Sequence, residues 1–205
     1  MIEEINQLRN TEIKQVIENR LNEFQEVHNS NNKRWFSELC FCLLTANSKA
    51  QTAINIQNEL GENGFINKSQ EEIKDCIIKN KHRFYNNKSK YIVEARKFTN
   101  IKDIIKPLEE KEAREWLVQN IKGLGYKEAS HFLRNIGYNN VAILDRHIIN
   151  MMLEHNLLDE KPKSLNKKKY LEIEEKFKIL AKKVNMNLAK LDFYVWYLKT
   201  NKVLK

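Results

Sequence analysis

Apolar residues recur at three- and four-residue spacing along most of the chain, which is the period of an amphipathic helix. The clearest stripe comprises Trp35, Phe36, Leu39, Leu43 and Leu44. No segment alternates apolar and polar residues as a half-buried strand would, and only the short run 141–144 (VAIL) has a strand-like composition. We therefore predict an all-α fold made of many short helices.

Local signals predict where some of these helices begin and end. Thr11 interrupts the first amphipathic segment, and Ser69 followed by Glu72 matches a capping box at a helix N-terminus. The lysine-rich stretch 160–169 is the best candidate for an exposed connection. No internal repeat or proline-rich linker divides the chain, so residues 1–205 are predicted to form one domain of two helical subdomains.

The composition allows a sizeable core and favours a polyanionic partner. Of the 205 residues 41% are hydrophobic, and 36 Lys and Arg stand against 27 Asp and Glu, for a formal charge of +9 and a pI near 9.3. Such an excess of positive charge suits nucleic acid. The alternative is that the lysines only cover the solvent-facing sides of helices.

The cysteines and the apolar segments indicate the compartment. An odd number of cysteines, Cys40, Cys42 and Cys76, does not suggest a disulfide framework, so we expect reduced, partly buried thiols in a cytoplasmic protein. The start, MIEEINQLRN, is acidic and has no apolar core, unlike a signal peptide. The longest apolar stretch, LCFCLL, is too short to cross a bilayer, so no membrane partner is expected.

A pair of glycines marks a turn between two helices in the segment IKGLGYKEA, and Gly123 and Gly125 flank a single leucine there. Glycine accepts positive φ, so the chain can reverse tightly within a helical hairpin predicted to span 113–136. The backbone amides of Leu124, Gly125 and their neighbours can then face a phosphate at the positive end of the second helix. With Ile121 before and Ala129 after the turn, the segment resembles the helix-hairpin-helix motif of DNA-binding proteins. The alternative is an ordinary helix C-cap followed by a turn.

Lys127 and Asp145 are the candidate chemical groups near this turn. Lys127 stands in the first turn of the second predicted helix, where the dipole disfavours a cation and so favours a neutral, nucleophilic amine. An exposed lysine that contacts a phosphate is the alternative. Asp145 comes 18 residues later, directly after VAIL and before a helical run. Aspartate is a favoured N-cap there, and a capping carboxylate can also face a cleft.

This combination resembles the DNA glycosylases that carry a helix-hairpin-helix followed by a Gly/Pro-rich loop and an aspartate. In the bifunctional members a lysine follows Gly-x-Gly-x and the aspartate comes at this distance, so the resemblance implies that Lys127 and Asp145 are catalytic. The loop is reduced here to Gly137 with Asn139 and Asn140, and it has no proline.

Within this superfamily the chain resembles, over essentially its whole length, the second, archaeal-type group of 8-oxoguanine DNA glycosylase/AP lyases. No cysteine follows Cys76, which excludes the four-cysteine iron–sulfur cluster of some members. The resemblance implies a monomer with a cleft between two subdomains that excises 8-oxoguanine from double-stranded DNA and cuts the strand through a Schiff base on Lys127. It implies no metal and no redox cofactor, and it is compatible with a monovalent cation at the hairpin carbonyls. His131 and His147 are predicted to be structural residues.

Two other readings of the same residues stay open. A glycosylase of this class could excise a different damaged base. A non-catalytic helix-hairpin-helix module would explain the charge and the glycines, but it leaves the spacing of Lys127 and Asp145 as an accident.

The resemblance also implies roles for residues outside the hairpin. Asn47, in TANSKAQTA, is the candidate wedge that fills the gap left by the extruded base, with a helix N-cap as the alternative. Phe84 is a candidate for stacking near the estranged base and Trp196 for stacking on the lesion, and either could instead belong to the core. Lys88 is a candidate phosphate contact. Lys205 matches a terminal lysine that helps to recognise the oxidised base, with a frayed tail as the alternative.

Overall fold

The computed structural model describes all of residues 1–205 and contains twelve α-helices and one short 3-10 helix, with no strand. The α-helices are α1 (Ile2–Leu8), α2 (Ile13–Asn29), α3 (Asn32–Thr45), α4 (Ala50–Asn67), α5 (Gln70–Lys79), α6 (Tyr85–Ala95), α7 (Ile101–Ile105), α8 (Glu110–Asn120), α9 (Tyr126–Asn135), α10 (Arg146–Glu154), α11 (Lys167–Lys183) and α12 (Leu188–Thr200). The 3-10 helix spans Arg96–Phe98. The all-α prediction is confirmed.

Buried apolar side chains form two clusters. The first core is built mainly from α3 to α9 and includes Trp35 and Phe132. The second core is built from α1, α2 and α10 to α12 and includes Phe177. Val141 belongs to the first core and Ala142 to the second, so the chain passes from one core to the other just before Asp145. These two cores are the physical basis of the two helical subdomains.

Capping side chains set the helix boundaries, as predicted for α5 and against the prediction for α11. Ser69 and Glu72 form both halves of a capping box at the start of α5. The connection predicted for 160–169 ends earlier, at Asn166, because the Asn166 side chain accepts a hydrogen bond from the Lys169 amide and caps α11. The last three residues of that stretch are therefore helical.

The run VAIL is buried, yet it forms no strand. The structure contains no strand with which it could pair, and side chains of α11 bind its backbone groups instead. The amide of Ala142 donates to Oε1 of Glu174 at 2.8 Å, and the hydroxyl of Tyr170 donates to the Ala142 carbonyl at 2.7 Å. Glu174 is also paired with Arg114 of α8, at 2.6 Å. These buried contacts tie the segment before Asp145 to the first helix of the hairpin.

The predicted hairpin consists of α8, a tight turn and α9. It begins at Glu110, three residues before the predicted start at 113, because the amide of Glu109 donates to the Glu112 carboxylate and caps the helix one turn earlier. All the cysteines are buried and unpaired. No helix is both long and apolar enough to serve as a membrane span.

Candidate active site

The two hairpin glycines have different structural roles. Gly123 has φ of +93°, and a Cβ atom there would lie 2.5 Å from a ring carbon of Tyr91, so only glycine fits. Gly125 has φ of −95°, which any residue adopts, and it occupies the N-cap position of α9. The sharp reversal of the chain therefore depends on Gly123, and the start of the second helix depends on Gly125.

Only some of the hairpin amides expected from the sequence can meet an anion. The amide of Leu124 donates within the turn, and that of Gly125 donates to Oε2 of Glu128 at 3.3 Å. The next two amides, those of Tyr126 and Lys127, make no hydrogen bond within the chain. The prediction is wrong for Leu124 and Gly125, and the free donors are those of their neighbours in the first turn of α9.

Lys127 lies in that first turn, with its side chain 24% exposed. Its Nζ atom is 3.6 Å from Oε1 of Glu128, the neighbouring residue. The position at the helix start agrees with the prediction made from the glycine spacing. The amine is accessible from solvent, but it is held against a carboxylate.

Asp145 is the N-cap of α10. Its Oδ1 atom accepts hydrogen bonds from the amides of His147 and Ile148, at 2.8 and 2.9 Å. The positive end of α10 stabilises negative charge on this carboxylate. Oδ2 makes no hydrogen bond within the chain, so one oxygen holds the helix and the other is free to act on a ligand.

A buried ion pair lies near enough to both Lys127 and Asp145 for their charges to act on it. Asp192 of α12 is paired with Arg134 of α9 at 2.5 Å, and both side chains are 6% exposed. Burial raises the pKa of Asp192 to about 6; Arg134 lowers it, the negative charge of Asp145 raises it, and the positive charge of Lys127 lowers it. Arg134 lies seven residues after Lys127 on the same face of α9. The predicted amine and carboxylate thus border one charged cluster.

The predicted wedge and stacking residues lie at neighbouring turns. Asn47 is exposed, with φ of +56°, in the turn between α3 and α4, and Phe84 is 51% exposed. Arg83 donates to the Asn47 carbonyl at 2.9 Å, and its guanidinium carbon lies 5.6 Å from the centre of the Phe84 ring. Asn47 is not a helix N-cap and Phe84 is not a core residue, so both structural alternatives are wrong.

Buried polar side chains hold the C-terminal end of α3, next to Asn47. A ring nitrogen of His82 lies 2.7 Å from the Leu44 carbonyl oxygen. Lys88 donates to the carbonyls of Leu43 and Ala46, the latter at 3.0 Å. Burial lowers the pKa of Lys88 to about 8. The prediction that Lys88 contacts phosphate is wrong, because its ammonium group points into the protein.

Trp196 is partly buried on α12, one turn after Asp192. Its ring lies 6.3 Å from the ring of His147, nearly perpendicular to it at 81°. His147 lies two residues after Asp145, at the start of α10. Trp196 therefore packs beside the helix that Asp145 caps. It is not among the buried residues of either core.

Lys205 is held against α3. Its Nζ atom donates to Oε1 of Glu38 at 2.6 Å and lies 4.5 Å from the centre of the Phe41 ring, and its side chain is 12% exposed. Burial lowers the pKa of Lys205, and the Glu38 charge opposes that shift. The alternative of a frayed tail is wrong.

Three charged residues near these groups escaped the sequence analysis, namely Glu38, Arg134 and Asp192. Each is buried. A signal was present, because each interrupts an otherwise apolar helical stripe, as in SELCFCLL, HFLRNIG and LDFYVW. No group of three or more His, Cys, Asp and Glu side chains is arranged to hold a metal ion. A cavity of about 490 Å³ between α2 and α3 is lined by Glu38 and Lys205 but not by Lys127 or Asp145.

Comparison with known proteins identifies the family. A family model described as 8-oxoguanine DNA glycosylase matches residues 17–186. The 8-oxoguanine DNA glycosylase/AP lyase of Methanocaldococcus jannaschii is 52% identical over 206 residues, which cover 100% of this chain and 99% of the relative. That of Korarchaeum cryptofilum is 42% identical over 207 residues, covering 100% and 98%. The crystal structure of the Methanocaldococcus jannaschii enzyme in complex with 15mer DNA containing 8-oxoguanine superimposes with a TM-score of 0.97, covering 100% of this chain and 99% of that one. The chain belongs to the 8-oxoguanine DNA glycosylase family.

Proposed function

We propose that this protein is a bifunctional base-excision repair enzyme, an 8-oxoguanine DNA glycosylase with AP lyase activity, that acts as a monomer on double-stranded DNA. What supports the proposal is that Lys127 lies in the first turn of α9, that Asp145 caps α10 with one oxygen left free, and that the charges of both act on the buried Asp192 carboxylate. The relatives named above, which carry both activities in their names, support the choice of 8-oxoguanine as the substrate. A cytoplasmic, nucleoid-associated location remains a prediction.

DNA binding rests on charge and on the hairpin. The net charge of +9 attracts the phosphate backbone, so affinity should fall steeply with salt. The free amides of Tyr126 and Lys127 can hold a phosphate at the start of α9. The exposure of Asn47 and Phe84 on adjacent turns supports the proposal that they enter the space that an extruded nucleotide leaves. Extrusion costs a few kcal/mol of stacking and pairing, which the contacts in the protein offset.

The first chemical step is displacement of the base. The neutral amine of Lys127 attacks C1′ of the extruded nucleotide, forming an N–C1′ bond as the bond from C1′ to N9 of the base breaks. The bonding electrons leave with the base, which takes up a proton, and the lysine nitrogen loses one. Asp145 stabilises the positive charge that develops on the sugar and accepts the proton through its free oxygen.

The second step is strand cleavage. The sugar ring opens to give a Schiff base between Lys127 and C1′, and the iminium acidifies the C2′ proton. Loss of that proton expels the 3′ phosphate by β-elimination, and hydrolysis of the imine frees the lysine. One uncharged amine and one carboxylate in a shared site are sufficient for this sequence.

No metal or redox cofactor enters this proposal. A monovalent cation at the hairpin stays a prediction. The carbonyl oxygens of Ile121 and Gly125 each accept one hydrogen bond, from Leu124 and Ala129, and each keeps a second lone pair that a cation could use.

Borohydride trapping tests the proposal against a non-catalytic DNA-binding module. A duplex with one 8-oxoguanine is incubated with the protein and sodium borohydride, and the covalent adduct is measured on a denaturing gel. We expect an adduct with the natural chain and with Lys122→Gln, whose side chain is 59% exposed on the same turn, but none with Lys127→Gln. No adduct with the natural chain, or one that survives Lys127→Gln, contradicts the proposal.

A panel of lesions tests the choice of base. Matched duplexes carrying an oxidised pyrimidine or an alkylated purine are compared with 8-oxoguanine under single-turnover conditions. Faster excision of another base would support the glycosylase activity but contradict 8-oxoguanine as the preferred substrate.

A further inference from the structure

Glu38 is a buried carboxylate in the middle of an apolar helix. It is 1% exposed on α3, and side chains from other parts of the chain surround it. Its Oε1 atom accepts hydrogen bonds from Gln57 of α4 at 3.1 Å and from Lys205 at 2.6 Å. Its Oε2 atom accepts one from Asn135 of α9 at 3.1 Å. Glu38 therefore joins three separate segments of the chain.

Lys205 supplies the only cationic group within hydrogen-bond distance of this carboxylate. The nearest guanidinium, that of Arg34, is 3.8 Å away and its side chain is 42% exposed. A buried charge costs free energy unless it is paired, and an apolar residue of similar size usually packs as well or better. A charged pair that joins residues 167 positions apart therefore points to placement of Lys205 rather than to stability of the core.

Glu38 directs Lys205 toward the nucleophile's side of the site. Lys205 lies over the ring of Phe41, and that ring packs edge-on against the imidazole of His131, with centres 5.6 Å apart. His131 is four residues after Lys127 and thus one helical turn along α9. The contacts from Lys205 to Phe41 to His131 therefore lead from the Glu38 carboxylate to helix α9, one turn from Lys127.

His131 also has unused hydrogen-bonding capacity. Both ring nitrogens of His131 are buried and have no partner at ordinary hydrogen-bond geometry, although the backbone of Lys205 lies near the ring. Burial lowers the pKa of His131 and the Lys205 backbone opposes that shift, so the ring is neutral and offers one donor and one acceptor. A buried polar group without a partner is unfavourable unless a ligand completes it. A purine, with donors and acceptors along its edges, would do so.

We propose that Glu38 is a positioning residue for recognition of the lesion, holding Lys205 in the wall against which the extruded base rests. The inference depends on the proposed glycosylase function. A second contact path supports it, because Asn135, which donates to Glu38, also accepts from Arg134, the partner of Asp192. Glu38 thereby connects the wall for the base to the charged cluster beside Asp145.

The experiment compares two substrates, because an abasic site has no base to recognise. Single-turnover rates are measured on a duplex with 8-oxoguanine and on the same duplex with an abasic site. Glu38→Gln keeps the shape and most hydrogen bonds of Glu38 but releases the Lys205 ammonium. We expect it to slow excision of 8-oxoguanine by about tenfold or more and to change β-elimination at the abasic site by about twofold or less.

Further variants separate this role from a loss of folding. Lys205→Gln should reproduce the effect of Glu38→Gln, Lys205→Arg should restore most of the excision rate, and the double variant should be no slower than the slower single variant. Arg34→Gln is the matched control on the same helix and should behave like the natural chain. If Glu38→Gln does not fold, the excision rates of Lys205→Gln and Lys205→Arg test the inference by themselves.

Three results would overturn the inference. Glu38→Gln could slow the reaction equally on both substrates, the effects of Glu38→Gln and Lys205→Gln could be additive in the double variant, or Lys205→Gln could leave the excision rate unchanged. If the natural chain processes neither duplex, the proposed function itself fails, and that outcome is distinct from the others.

Discussion

Oε1 of Glu128 lies 3.6 Å from Nζ of Lys127, and Oε2 of the same carboxylate accepts a hydrogen bond from the Gly125 amide at 3.3 Å. The proposed nucleophile and the hairpin turn therefore share one acidic group. A carboxylate at this distance attracts the Lys127 side chain and holds it at the turn, away from a ligand. A phosphate that binds at the start of α9 would compete with Glu128 for these donors.

Replacing Glu128 by Gln should therefore speed formation of the Schiff base. Glutamine still accepts from the Gly125 amide but carries no charge that holds the Lys127 side chain. Because pairs with this much exposure contribute up to about 1 kcal/mol, we expect trapping to accelerate by about two- to fivefold. The rate of adduct formation with borohydride is the measurement. A slower rate, with DNA affinity unchanged, would show that Glu128 assists the reaction.

Asp145→Asn should lose turnover and keep DNA binding. The amide oxygen of asparagine can still cap α10, but the charge that assists the amine and the sugar is gone. We expect excision of 8-oxoguanine to fall by about 100-fold or more and the dissociation constant for the same duplex to change little. Asp145→Ala is the companion variant, because it also removes the cap and should lower stability by about 1 kcal/mol. Parallel losses of affinity and rate with Asp145→Asn would count against a catalytic role.

The hairpin glycines should differ in their tolerance of alanine. At Gly123 the new Cβ atom meets the Tyr91 ring at 2.5 Å and φ is +93°, so Gly123→Ala should destabilise the protein by about 2 kcal/mol or more and weaken DNA binding. At Gly125 a new Cβ atom would lie 3.3 Å from Oε2 of Glu128, which belongs to a side chain that can move, and φ is ordinary. Gly125→Ala should cost about 1 kcal/mol or less. Thermal unfolding and filter binding measure both, and equal effects would contradict the separate roles.

Lys88→Met should loosen the turn that carries Asn47. The carbonyls of Leu43 and Ala46 lose their buried donor, which costs about 1–3 kcal/mol in the free energy of unfolding. Lys90→Met, whose side chain is 55% exposed on the same helix, is the control and should change stability little. Excision of 8-oxoguanine should slow with Lys88→Met because the wedge is no longer held.

The difference in stability between the natural chain and Lys88→Met should also depend on pH. Burial lowers the pKa of Lys88 to about 8, below the value of about 10.4 for an unfolded chain. Between these values the unfolded chain binds more protons than the folded one, so this group's contribution to stability rises with pH from about 8 to about 10.4. The stability difference between the natural chain and Lys88→Met should widen across that window. A constant difference would place the ammonium group in solvent.

Much of the fold and the centre of the site follow from local sequence. The stripe around Trp35, the capping box at Ser69 and the glycine turn at Gly123 are each set by neighbours within a few residues. Local geometry also places Lys127 in the first turn of α9 and Asp145 at the N-cap of α10. These assignments need only helix periodicity and capping chemistry.

The wrong prediction for Lys88, unlike that for Gly125, comes from contact between segments far apart in the sequence. Lys88 was expected at a phosphate and is buried, and the amide of Gly125 was expected free but meets Glu128. Whether a lysine reaches solvent or a carbonyl depends on which helix end packs beside it, and for Lys88 that end is 42 residues away in sequence. Local patterns carry no information about such pairings.

The sequence by itself determined the helices, the hairpin turn and the positions of Lys127 and Asp145 at two helix starts, because capping, periodicity and the freedom of glycine act over a few residues. Only the tertiary structure decided that Glu38 pairs with Lys205 and that Asp192 pairs with Arg134. These buried charges obtain partners from distant segments, since a charge removed from water must find an opposite one wherever the packed helices bring it.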